Sequence, residues 1–326
     1  MSEKAIEGNT ILIGDCLEQL KQLPDESIDC CVTSPPYFGL RDYGDDRQIG
    51  LEESPEEYIQ RLVSVFREVY RVLKKEGTLW VNIGDTYNSY KGDKNANNFD
   101  SLYVGHCNRP TRREHFGLED KSLKLKDLIG IPWLLAFALR ADGWYLRQDI
   151  IWNKPNCMPE SVKDRCTRSH EYIFLLSKSP RYYFDYEAIQ TKAKEEIRKT
   201  DNPQFVGGRK RGSLIQIPGD PNYRKSTTRN YTPSGKANKR SVWTISTQRY
   251  KAAHFAMFPE KLARECILAG CPAEGVVLDP FLGGGTTAAV AKKLGRNYLG
   301  IELNPDYASI AAKRLESIPT TLFPMF

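Results

Sequence analysis

The sequence lacks any Cys-x-x-Cys spacing, any uninterrupted run of about 18 apolar residues, and any G-x-x-x-x-G-K-[ST] segment. The first absence argues against a zinc knuckle or a redox dithiol. The eight cysteines (Cys16, Cys30, Cys31, Cys107, Cys157, Cys166, Cys266, Cys271) are instead expected as reduced thiols serving as small core residues, and no metal is expected. His106, Cys107 and His115 fall in a polar stretch, and a loop explains them better than a ligand set. The second absence leaves no membrane span. Glu3, Lys4 and Glu7 also break up any apolar leader in the first fifteen residues, so a soluble, cytoplasmic protein with no membrane partner is expected. The third absence removes the phosphate cradle of nucleotide hydrolases, because Gly285 is followed by Thr286 and Thr287 rather than lysine.

Acidic residues are scarce in one segment. Across residues 191–250, fourteen Lys/Arg stand against four Asp/Glu, a local excess of ten positive charges. The whole chain carries only +6, so the remainder nets −4. Charge gathered in one segment points to a polyanionic partner more strongly than the net value does.

At 326 residues the chain can bury a substantial core. Residues 11–13 and 28–33 read as short buried strands, separated by Leu17, Leu20 and Leu23 at helical spacing that ends at Pro24. Ser54-Pro55-Glu56-Glu57 combines a capping box with proline in the first turn, and Tyr58, Leu62, Val65, Phe66, Val69, Val72 and Leu73 mark one apolar face toward Gly77. Strands follow at 78–83, 145–152 and 171–177, with a helix at 131–141. After residue 247 the alternation resumes: helix 259–269, strand 276–279, helix 286–294, strand 297–302 and a last helix from Pro305. This order predicts an α/β fold with a doubly wound, mostly parallel sheet and an antiparallel edge hairpin. Two aperiodic stretches, 88–121 and 188–247, are too long for ordinary connections. The expected organisation is therefore a first half (1–187) with loop 88–121, a basic insert (188–247), and a second half (248–326) completing the same domain.

Asp279-Pro280-Phe281-Leu282-Gly283-Gly284-Gly285-Thr286-Thr287 follows a buried strand, and its glycines permit positive φ and close approach of backbone to a ligand before a helix begins. Glu302 ends the next strand, 23 positions past Asp279, near the offset of about 20 at which an acidic side chain meets ribose hydroxyls. An adenosine-containing ligand fits. A dinucleotide fits less well, because an NAD site would place glycine where Asp279-Pro280-Phe281 stands and an anionic Asp279 would repel a pyrophosphate. A sulfonium and an amino-acid ammonium tolerate that charge.

Thr33-Ser34-Pro35-Pro36-Tyr37 closes the strand 28–33. Each proline fixes φ near −65°, and Ser34, preceding a proline, is pushed to an extended conformation. Such a turn holds its carbonyls as fixed acceptors for a planar amine, and Tyr37 offers a face on which a base can stack. The exocyclic amine of a nucleobase is a poor nucleophile because its lone pair is delocalised into the ring. Hydrogen bonds to the Ser34 side chain and the Pro35 carbonyl would draw it toward tetrahedral geometry, with positioning supplying most of the rate.

These two motifs resemble those of the amino-methylating DNA methyltransferases, in the permuted (beta-class) order in which the catalytic motif precedes the cofactor motif. The resemblance covers most of the chain. It implies methyl transfer from S-adenosyl-L-methionine to a flipped base in double-stranded DNA, with Ser34, Pro35, Pro36 and Tyr37 catalytic. It implies cofactor contacts from Asp15, Cys16, Thr33, Phe258, Pro259, Asp279, Pro280, Phe281, Gly283, Gly285, Thr286, Thr287 and Glu302. In this family residues 254–259 would enclose the methionine end, and the basic insert would recognise the target. Its candidate DNA contacts are Arg209, Lys210, Arg211, Arg224, Lys225, Arg229, Lys236, Lys239 and Arg240. Serine at position 34 leans toward cytosine-N4 chemistry, where aspartate would lean toward adenine-N6, and the adenine enzyme stays open as the closest alternative. RNA or protein-amide methylation and a non-catalytic DNA-binding module are weaker readings. Cytosine-C5 chemistry, which needs a nucleophilic cysteine usually preceded by proline, is disfavoured by the lack of a Pro-Cys dipeptide. A homodimer and a cognate restriction endonuclease are partners the family admits.

Overall fold

The computed structural model describes residues 8–40, 45, 47–88, 123–124, 126–192, 235–248 and 258–319. The described residues divide into two units, Met1–Asp185 with Arg240–Phe326, and Tyr186–Lys239.

The first unit is built on an eight-stranded sheet. Its strands are β1 (Thr10–Ile13), β2 (Ile28–Thr33), β3 (Leu73–Ile83), β4 (Tyr145–Asn153), β5 (His170–Ser177), β8 (Val242–Thr244), β9 (Val276–Asp279) and β10 (Asn297–Glu302), in the spatial order β1-β10-β9-β2-β3-β5-β4-β8. The pairs β1/β10, β10/β9, β9/β2, β2/β3 and β4/β8 are parallel, while β5 runs antiparallel to both neighbours. The helices are α1 (Cys16–Leu20), α2 (Pro55–Val72), α3 (Ile131–Ala141), α4 (Glu260–Gly270), α5 (Thr286–Lys293) and α6 (Pro305–Glu316). The α/β class, the mostly parallel sheet and the β4/β5 hairpin are as the sequence predicts. β8 was not anticipated: it pairs along β4, so the hairpin lies one strand in from the sheet's edge.

Alternation along β2 feeds two cores. Cys31 joins the apolar cluster formed with α1, α2 and α3. Cys30 turns the other way, toward Thr78, whose hydroxyl reaches the Gly270 carbonyl of α4 at 3.1 Å. Both faces of the central strands are therefore covered, which is why they read as continuous apolar runs.

Helix α2 shows how local chemistry sets an element. The Ser54 hydroxyl accepts from the Glu57 N–H at 3.2 Å, Pro55 opens the first turn, and Glu56 and Glu57 lie where the helix dipole favours anions. Tyr58, Leu62, Val65, Phe66, Val69 and Val72 are fully buried, each worth about 1.5–3 kcal/mol in removed apolar surface. At its far end Arg71 donates to the Leu20 and Leu23 carbonyls, each at 2.8 Å, tying α2 to the chain where α1 stops. The apolar face predicted a helix toward Gly77, but α2 ends at Val72. Leu73 takes extended angles and pairs with Ile28, and residues 74–77 then form an irregularity before Thr78 pairs with Cys30. Strand pairing overrides helix propensity there.

The second unit contains a short antiparallel ladder, β6 (Thr191–Lys192) with β7 (Lys236–Ala237). Its bounds overlap the expected insert 188–247, but Arg240–Thr247 belongs with the first unit.

Candidate active site

Strand β9 ends at Asp279, and the chain reverses through residues 280–285 into α5. Gly283 and Gly285 both adopt positive φ, at 53° and 77°. Gly285 is also a packing requirement, since a Cβ there would lie 2.9 Å from the Ala311 Cβ of α6. At Gly283 a Cβ would meet nothing within 4 Å, so the turn presents bare, open backbone at this point. Leu282 fastens the turn beneath: its N–H donates to the Ile301 carbonyl at 2.9 Å, and its side chain fills the space above Gly300.

Glu302 closes the turn from the end of β10. Its Oε2 accepts the Gly283 N–H at 2.7 Å and its Oε1 accepts the Asn304 N–H at 2.9 Å. Burial pushes its pKa up, while those two N–H groups oppose the rise. A carboxylate has about four acceptor positions, so one on each oxygen remains after these bonds, enough to receive two vicinal hydroxyls. The Glu302 backbone carbonyl accepts the Gly14 N–H at 2.9 Å, which sets Asp15 and Cys16 beside the same strand end. Asp15 caps α1 by accepting from the Leu17 and Glu18 N–H groups, and Cys16 is buried with its thiol pushed up to about 12.

Asp279 occupies a different position. It is 2% exposed, and its Oδ1 accepts from the Thr33 hydroxyl at 2.6 Å and the Phe281 N–H at 3.1 Å. Its Oδ2 accepts from the Thr287 hydroxyl at 2.7 Å. Burial raises its pKa to about 6 against the pull of those hydrogen bonds. Asp279 therefore joins the start of the Ser-Pro-Pro-Tyr turn to the start of α5, and Thr33, Asp279 and Thr287 form one buried polar knot.

The Ser-Pro-Pro-Tyr turn leaves the carboxyl end of β2. Pro35 is buried, the Pro36 carbonyl accepts from the Tyr58 hydroxyl of α2 at 2.8 Å, and no donor among the described residues is bonded to the Pro35 carbonyl. The ring of Tyr37 lies against Gly84, where a Cβ would come within 2.8 Å of its Cε2. Its hydroxyl donates to Glu171 Oε2 at 2.7 Å. That oxygen also accepts from Asn82 Nδ2 at 3.1 Å, and Glu171 Oε1 pairs with Lys154.

The remaining expected residues fall as follows. Pro259 is buried and precedes α4, with Phe258 half-buried beside it in sequence. Pro280 and Thr286 are buried and Phe281 is half-buried. Arg314 of α6 donates to the Gly284 carbonyl at 3.0 Å and to the Thr286 hydroxyl at 3.1 Å. Of the DNA candidates, Lys236, Lys239 and Arg240 are described, with Lys236 and Arg240 exposed. Arg209, Lys210, Arg211, Arg224, Lys225 and Arg229 lie outside the described residues, as do residues 254–257 and the loop stretch 89–122. Among the described residues the free cysteines Cys16, Cys30, Cys31, Cys266 and Cys271 are buried, as small core residues would be, whereas Cys157 is half-buried and Cys166 is exposed; Cys107 lies outside the described residues. Among the described residues no helix is long and apolar enough to cross a membrane.

Sequence reasoning missed Asn82, Lys154, Glu171 and Asp85. Asp85 Oδ1 accepts the Gly130 and Ile131 N–H groups at 3.0 and 3.1 Å, fixing the start of α3. The available signal was a polar residue within or just after an apolar strand: Asn82 follows Leu79-Trp80-Val81, and Glu171 precedes an apolar run in β5.

Residues 28–313 match the family model described as DNA methylase, of the N6/N4 type. The chain is 47% identical over 324 residues to the type II methyltransferase M.SmaI of Serratia marcescens, covering 96% of this chain and 94% of that one. It is 45% identical over 321 residues to the type II methyltransferase M.Cfr9I of Citrobacter freundii, covering 97% and 91%. Its fold is similar to that of the PvuII DNA methyltransferase (cytosine-N4-specific), with a TM-score of 0.62 at 20% identity over 96% of this chain and 89% of that chain. It is also similar to the Thermus thermophilus protein TTHA0409 in complex with S-adenosyl-L-methionine, with a TM-score of 0.56 at 24% identity over 95% and 96%.

Proposed function

Since the chain belongs to the N6/N4 DNA methylase family, whose cofactor is S-adenosyl-L-methionine, we propose that it methylates the exocyclic N4 amine of cytosine in duplex DNA. The observation that carries the proposal is the hydrogen bond between Thr33 and Asp279, which ties the turn suited to a planar amine to the turn suited to an adenosine cofactor. Serine at position 34 supports cytosine over adenine.

The residues fit the cofactor. Glu302 retains acceptors for two ribose hydroxyls, Gly283 leaves open backbone above the turn, and the start of α1 at Asp15 and Cys16 adjoins Glu302. When bound, the cofactor supplies a methyl group on a sulfonium, an electrophile that needs no strong base to receive it. The protein's part is positional. Tyr37 stacks on the extruded base, recovering part of the few kcal/mol lost on flipping. Ser34 Oγ and the Pro35 carbonyl each accept one N–H of the amine, so its lone pair turns out of the ring plane. The amine proton leaves after attack, when the nitrogen has become acidic. The basic residues of 191–250 supply phosphate contacts, and Lys236, Lys239 and Arg240 are the described members of that set. The type II relatives support a cognate restriction endonuclease as cellular counterpart; a homodimer is the oligomer we propose.

The test is direct. Purified protein, unmethylated duplex DNA and methyl-labelled cofactor are incubated, and the DNA is digested to nucleosides for mass spectrometry. Label in N4-methylcytosine is expected. Label in N6-methyladenine would replace the cytosine assignment with the adenine one, and unlabelled DNA would remove both.

A further inference from the structure

We propose that Glu171 is a positioning residue for methyl transfer: by accepting from the Tyr37 hydroxyl it fixes the ring on which the target base stacks. The inference rests on the assignment of residues 33–37 as the catalytic turn.

A carboxylate only accepts, so the Tyr37 hydrogen must point at Glu171 Oε2, 2.7 Å away. That bond fixes the rotation of the phenol ring, whose flat side lies against Gly84, where a Cβ would come within 2.8 Å of Tyr37 Cε2. Without Glu171 the ring is held by packing alone, and the face on which the target base stacks loses its fixed setting.

The surroundings hold Glu171 in this place. Asn82 Nδ2 donates to the same Glu171 oxygen at 3.1 Å, and the Lys154 ammonium pairs with the other oxygen while lying 4.3 Å from the centre of the Trp152 ring. The Glu171 and Lys154 side chains are only 15% and 18% exposed. Burial and the nearby Glu171 charge raise the Tyr37 pKa well above its ordinary value, so the phenol keeps the proton it donates. The pair stands at the end of the sheet where β3 stops and β5 begins, on the side where β2 runs into the reacting turn. A hydrophobic pair would serve stability at least as well in such a half-buried place.

A double-mutant cycle read by single-turnover methylation of duplex DNA tests the coupling of Tyr37 to Glu171. Tyr37→Phe and Glu171→Leu are each expected to slow methylation about tenfold, and the double variant is expected to be no more than about twofold slower than the slower single one. Glu171→Gln, whose amide oxygen still accepts from the phenol, is expected to run several-fold faster than Glu171→Leu. Cofactor affinity by calorimetry should stay within about twofold throughout. Losses that multiply to about a hundredfold in the double variant, or a Glu171→Gln rate no better than that of Glu171→Leu, would overturn the proposal. If Glu171→Leu does not fold, the cycle is run with Glu171→Gln, which must then add nothing in the Tyr37→Phe background. Tyr37→Ala separates the two levels of inference: full turnover there removes the catalytic-turn assignment itself, whereas an inactive Tyr37→Ala with a multiplicative cycle removes only Glu171's role.

Discussion

Thr33 and Asp279 lie 246 positions apart in the chain, and the hydroxyl of one donates to the carboxylate of the other at 2.6 Å in a fully buried setting. The Thr287 hydroxyl reaches the second carboxylate oxygen at 2.7 Å and lies 3.1 Å from the Val32 carbonyl. A movement of the α5 end of the glycine turn is thus felt at the residue preceding Ser34.

That knot makes stability depend on pH with a definite sign. The folded pKa of Asp279, about 6, lies above the ordinary aspartate value of about 3.9, so the folded protein holds this proton more tightly than the unfolded chain. The resulting stabilisation is complete below about pH 4 and is lost as pH rises through about 6. Asp279→Asn cannot ionise. Its amide oxygen can still accept from Thr33, and its NH2 can donate to Thr287, whose own hydrogen goes to Val32. Urea unfolding of both proteins between pH 4 and 7.5 should show the variant gaining roughly 2–3 kcal/mol relative to the parent across this window. Parallel curves would place the titration elsewhere.

Glu302→Gln is expected to weaken S-adenosyl-L-methionine binding by about 10- to 100-fold, the cost of 1–3 kcal/mol for an unsatisfied buried group. Both Glu302 oxygens accept backbone N–H groups, from Gly283 and Asn304, so the amide NH2 must oppose one of them. Titration calorimetry reads this directly, and unchanged affinity would remove Glu302 from the cofactor site.

Gly84→Ala should separate binding from turnover. The added methyl would sit 2.8 Å from Tyr37 Cε2, so the ring must shift while the glycine turn at 283–285 is untouched. We expect methylation to fall at least about tenfold with cofactor affinity retained, since an ångström of misplacement costs that order of rate. Equal loss of both would mean that the substitution disturbs the sheet at large.

Ionic strength should act on DNA binding alone. With six to eight phosphate contacts, the logarithm of affinity should fall against the logarithm of salt concentration with a slope of about −5 to −7. Lys236→Ala and Arg240→Ala should each reduce that slope by about one without changing sequence preference. A flat response in the parent protein would leave the excess of ten positive charges in residues 191–250 without a DNA role.

Much of this was legible in the chain itself. The strands 276–279 and 297–302 and the helices starting at Pro55, Ile131, Thr286 and Pro305 fall where apolar periodicity and capping residues put them, because those signals are local. Strand β8 escaped notice because three residues, Val242–Thr244, carry no period and gain strand character only by pairing with β4. The end of α2 escaped for a related reason: Leu73 continues the apolar face, and only its pairing with Ile28 reveals that it belongs to a strand.

By itself the sequence determined which segments carry the chemistry, since a proline-fixed turn after one strand and a glycine turn after another are properties of a few consecutive residues. Only the tertiary structure decided how those segments are held: that Asp279 is buried against Thr33 and Thr287, that Glu302 clasps Gly283, and that Tyr37 ends on Glu171. Each is a hydrogen bond between groups 8 to 246 positions apart. Its existence depends on strand order and register, which no short stretch of sequence encodes.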